Sequence, residues 1–91
     1  MLRITHGTRR EGATLVLEGR LTGPWVEELA RCWKALTATR DARSVHVDLD
    51  GVTFIDAGGR AVLRTMHEQG ATLGACSGCM TRAIVEEITQ R

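Results

Sequence analysis

The chain has 91 residues, 43% of them hydrophobic, a size that encloses one core and excludes a second sizeable domain. Twelve basic and eleven acidic residues leave a formal net charge of +1, which excludes the strong positive field of a general nucleic-acid binder. The arginines are scattered from Arg3 to Arg91 and form no run, as a solvated surface requires.

Met1 to His6 contains no long apolar stretch, and the three cysteines are an odd number. We therefore expect a cytoplasmic protein with neither a membrane insertion nor a disulfide framework. Phe54, Trp25 and Trp33 are the only aromatic residues, so the core must be built from aliphatic side chains.

Leu2-Arg3-Ile4-Thr5 alternates with period two and predicts a strand. Arg9-Arg10-Glu11-Gly12 suits a turn, and Ala13 to Leu17 completes a hairpin. Gly19 to Gly23 is expected to end the second strand. Pro24 then sits where a first helical turn tolerates a residue without an N–H. Val26, Leu29, Ala30, Trp33 and Leu36 recur at three- and four-residue steps, predicting an amphipathic helix with Trp33 in the core. Glu27 and Glu28 complement the positive end of its dipole.

Thr37 to Arg43 is read as a polar connector. Val45, Val47 and Leu49 alternate with His46, Asp48 and Asp50, so a strand with one buried face follows. His46 has no second histidine or cysteine at ligand spacing and is read as an ordinary strand residue. A second helix puts Gly59, Val62, Leu63 and Met66 on one face and Arg60, Arg64, His67 and Glu68 on the other, with Gly70 as its stop. Ala71 to Ala75 predicts a short strand. A last helix carries Ala83, Ile84, Val85 and Ile88, with Glu86 and Glu87 outward. The expected fold is an α/β sandwich: a mixed four-stranded sheet with an N-terminal hairpin and about three helices, its later strands parallel.

Between the third strand and the second helix stands Ile55-Asp56-Ala57-Gly58-Gly59. An aspartate there can cap the helix by accepting the N–H of Gly58 or Gly59. The glycines also suggest a phosphate cradle, but the P-loop lysine and hydroxyl residue are absent and the carboxylate would repel a phosphate.

Val47-Asp48-Leu49-Asp50-Gly51-Val52-Thr53-Phe54-Ile55-Asp56, followed by Ala57-Gly58-Gly59 and an apolar helix, resembles the STAS family, which includes bacterial anti-sigma factor antagonists. The resemblance runs from about Leu2 to about Thr89 and implies one STAS-like domain over residues 1–91, without the family's last strand and helix. It implies a non-enzymatic regulatory module with no cofactor. Regulated members are phosphorylated on a serine after the aspartate, by a kinase that is also the anti-sigma factor. That position falls on Gly58, which has no hydroxyl, and Ala57 before it has none either. The acidic residues often found before the first helix are replaced by Arg20 and Thr22.

The implied partner surface is Asp56, Ala57, Gly58, Gly59, Arg60, Arg64 and His67. Its occupant would be an anti-sigma factor kinase, or, in the related role of a phospholipid-transport ABC complex subunit, the transporter ATPase. A second copy of the chain is a further possible partner, and a nucleotide is an alternative ligand. A third class, a small thiol oxidoreductase, would depend on Cys76-Ser77-Gly78-Cys79, a pair that lacks the flanking aromatic and internal proline of thioredoxin-like motifs. No metal site is expected, because Cys32 and this pair do not complete four ligands.

Overall fold

Strand β1 (Leu2–Arg9) pairs antiparallel with β2 (Gly12–Leu21), as a hairpin requires. The computed structural model describes residues 2–9, 12–74 and 82–89. The expected turn residues Arg10 and Glu11 lie outside them. Helix α1 (Pro24–Thr37) carries the chain to β3 (Val45–Ile55), which runs parallel to β2. Helix α2 (Ala57–Glu68) then leads to β4 (Thr72–Gly74), parallel to β3, and α3 (Arg82–Thr89) follows. The sheet order is β1-β2-β3-β4, a mixed sheet with three helices, as the hydrophobic periodicity predicts.

One face of the sheet is buried by alternation. Ala13, Leu15 and Leu17 of β2 and Val45, Val47 and Leu49 of β3 all point under the helices. Above them sit Leu29, Trp33 and Leu36 of α1, Leu63 and Met66 of α2, and Val85 and Ile88 of α3, in one continuous cluster. Trp33 satisfies its polar end as well, because its Nε1–H donates to Gln69 Oε1 at 2.8 Å. The opposite face carries exposed Arg3, Thr5 and Glu18 and half-buried Thr14, His46 and Asp48, so His46 is a strand residue as read. Among the described residues no helix is long and apolar enough to cross a membrane.

Two boundaries differ from the expectations. Strand β2 does not stop at Gly19 but continues to the buried Leu21. Gly19 takes φ 105°, and the register against β3 shifts on either side of Glu18 and Gly19, so the glycine makes a bulge and not an end. Strand β3 runs past Asp50 to Ile55, which places Asp56 directly at its end, as the sequence predicts. The connector contains a short 3₁₀ turn, Ala42–Ser44, whose start is capped by Asp41 accepting the Arg43 N–H at 2.9 Å. Gly70 ends α2 with φ 117°, as expected.

Candidate functional site

β2 and β3 are parallel, so their C-terminal ends lie side by side and the helices that follow them start at the same edge. Asp56 stands between those starts. Its N–H donates to the Leu21 carbonyl at 3.1 Å, which seats it on the end of β2. Its Oδ1 accepts the Gly59 N–H at 2.7 Å and caps α2, the local pattern the sequence predicts. Its Oδ2 accepts the Gly23 N–H at 3.1 Å, across to the residue before α1. Helix α1 has no side-chain cap of its own; Gly23 precedes it at φ 55° and ψ −130°. One carboxylate therefore serves the starts of two helices, both of which are positive dipole ends.

These donors, Gly59 first and Gly23 second, hold the Asp56 carboxyl below the usual carboxylate range. The carboxylate is ionised and committed to backbone donors. That suits a structural anchor better than a general base, which would need a free lone pair aimed at a substrate.

The glycines around Asp56 have separate causes. A Cβ on Gly59 would come within 2.8 Å of Leu21 Cγ and 2.9 Å of the Leu21 carbonyl, so only glycine lets α2 approach the strand ends this closely. Gly58 is exposed, and a Cβ there would make ordinary contacts, 3.5 Å to Asp56 Oδ1 and 3.7 Å to Val26 Cγ1. A side chain at 58 fits the structure. Nothing in the packing demands the missing hydroxyl.

Ile55, Asp56, Ala57, Arg60, Ala61 and Arg64 line an open groove of about 350 Å³ beside the α2 start. Ala57, Ala61 and Arg64 are exposed on it. The other expected residues sit less freely. Arg60 Nη1 donates to Glu87 Oε1 at 3.0 Å and so ties α2 to α3. His67 is half-buried and its Nδ1 is enclosed without a hydrogen-bond partner among the described residues. Thus Asp56 to Gly59, Arg60 and Arg64 gather at one end of α2, and His67 stands at the other end of the helix.

Two features here lay outside the sequence reading. Gly23 is one, joined to the site through Asp56. The other is Phe54, 48% exposed and the one large hydrophobic side chain exposed among the described residues. The Arg20 guanidinium stacks 5.3 Å from its ring centroid, and the two residues are register partners across β2 and β3. Only the pairing of β2 with β3 could have revealed that contact. Cys32 is a half-buried free thiol on α1, and Cys76 and Cys79 lie outside the described residues. Among the described residues no group of three or more His, Cys, Asp or Glu side chains could hold a metal ion.

This arrangement is the STAS fold. It matches the crystal structure of an anti-sigma factor antagonist from Mycobacterium paratuberculosis with a TM-score of 0.77, at 17% identity over 92% of this chain and 75% of that one. It also matches the STAS domain of an anti-sigma factor antagonist from Rhodobacter sphaeroides with a TM-score of 0.54, at 19% identity over 82% of this chain and 85% of that one. No protein-family model matches the chain, and no curated protein matches it significantly. At these identities the likeness concerns the fold, and function must be argued from the site.

Proposed function

We propose that the chain is one cytoplasmic, non-enzymatic STAS domain that acts by docking on a protein partner, as an anti-sigma factor antagonist without the serine switch. The observation that carries this reading is the commitment of both Asp56 oxygens to backbone donors, beside a Gly58 that has no hydroxyl. The site holds a shape and offers no group for covalent chemistry. The docking surface consists of Asp56, Ala57 and Gly58 with Arg60 and Arg64, with Gly59 buried beneath them against Leu21; His67 bounds it at the far end of α2. The exposed Ala57 and Gly58 at its centre leave room for a partner's side chains.

The test is affinity purification from the native host, followed by calorimetric titration of the purified partner. The expected partner is a histidine-kinase-like anti-sigma factor, bound at least tenfold more weakly by Arg64→Glu with the fold unchanged. A transporter ATPase in its place would shift the role to a phospholipid-transport complex, and recovery of neither would sink both roles.

A further inference from the structure

The opposite edge of the molecule carries a second surface. Among the described residues β1 pairs only with β2, so the outer backbone groups of an eight-residue strand are open at the sheet edge. Such an edge is a template for another strand. Beside it, β1 and α1 enclose an open groove of about 570 Å³, with Leu2, Ile4 and Leu15 as the apolar floor and Cys32 and Leu36 on the helix wall. Glu28, near the start of α1 and held at 3.0 Å by the exposed Arg31, lines the groove, as does Arg40 beyond the helix end.

We propose that this face binds a second copy of the chain, edge to edge, with the two β1 strands antiparallel about a two-fold axis at Thr5. Charge and register both select that occupant. Helix α1 joins two parallel strands and so runs back against β2, in the same direction as β1. A two-fold axis across the β1 edge reverses that direction in the second copy. The Glu28 end of each groove then meets the Arg40 end of the other, two opposite-charge encounters from one operation.

The strand fixes the register. Centred on Thr5, the pairing sets Arg3 opposite Gly7 and Ile4 opposite His6, and it brings the two Thr5 hydroxyls together, a favourable cross-strand pair. The apolar floors of the two grooves become continuous across the axis. This surface is built on β1 and α1, away from the β3–α2 site, and does not depend on how that site is used.

Sedimentation of the purified chain tests it. Wild type is expected to dimerise, and Glu28→Arg or Arg40→Glu alone to raise the dissociation constant at least tenfold. An equimolar mixture of the two variants restores the dimer, because each groove end again meets its opposite. Thr5→Arg, an exposed position, also dissociates it, with circular dichroism unchanged. Hydrogen exchange of the outward β1 amides is slow in wild type and fast in the dissociated variants. A monomeric wild type at millimolar concentration overturns the proposal. So does a dimer indifferent to these substitutions, or a mixture that stays monomeric.

Discussion

Gly23 and Asp56 are 33 positions apart in the chain and 3.1 Å apart in space, joined by a backbone N–H and a carboxylate oxygen. The same carboxylate caps α2 through Gly59, so the start of one helix cannot shift without disturbing the approach to the other. The two helix starts behave as one unit.

Asp56→Ala removes both acceptors and is expected to lower the melting temperature more than Asp56→Asn, which keeps one amide oxygen. The pH dependence has a defined sign. Because the folded carboxyl is depressed by the two N–H donors, its stabilisation is full above the unfolded value of about 4 and is lost as pH falls through the lower folded value. The gap in melting temperature between wild type and Asp56→Asn is therefore constant near neutrality and narrows in acid. A gap that widens on acidification would contradict the clamp.

The three glycines of the site respond differently to alanine. Gly59→Ala forces a Cβ against Leu21 and Ile55 and should cost about 1–3 kcal/mol by overpacking. Gly23→Ala meets no atom within 4 Å but must adopt φ 55°, a strain of about 1–3 kcal/mol. Gly58→Ala meets neither obstacle and should stabilise α2 by up to about 1 kcal/mol. Urea denaturation ranks the three directly.

Gly58→Ser should create a phosphoacceptor that wild type lacks, since its Cβ fits and the position is exposed. Intact mass spectrometry after incubation with ATP and the host's anti-sigma kinase is expected to find one added phosphoryl group on the variant and none on wild type. Phosphate on the wild-type chain would end the reading of a domain without a switch.

Arg60 and Arg64 separate folding from docking. Arg60→Ala breaks a partly exposed ion pair to Glu87, worth about 0–1 kcal/mol, and loosens α3. Arg64 makes no ion pair among the described residues, so the thermal melt of Arg64→Ala should match wild type while partner affinity falls. Equal melts for both variants would show that the Arg60–Glu87 contact carries no stability.

Local patterns reached most of the fold and half of the site. Val45, Val47 and Leu49 announce their strand by alternation, and Asp56 announces its cap because the donor lies three residues on. Gly19 misled for a physical reason: a glycine that bulges a strand and one that ends it have the same composition, and only pairing with β3 distinguishes them. Arg60 reads as part of an open polar face because α3, which carries Glu87, approaches from outside its own helix. Gly23 left no sign of its role, since a backbone N–H is common to almost every residue and its acceptor arrives from the other half of the chain.

Helix α1 has an optical consequence. Trp25 and Trp33 are the only tryptophans, there is no tyrosine, and both indoles belong to that one helix. Near-ultraviolet emission therefore originates from α1 alone. Trp33 is enclosed and hydrogen-bonded to Gln69, whereas half-buried Trp25 lies two residues from Gly23 and thus from the Asp56 clamp. The molecule carries its own fluorescent reporter: a ligand seated at the clamp perturbs the Trp25 component, and unfolding releases both.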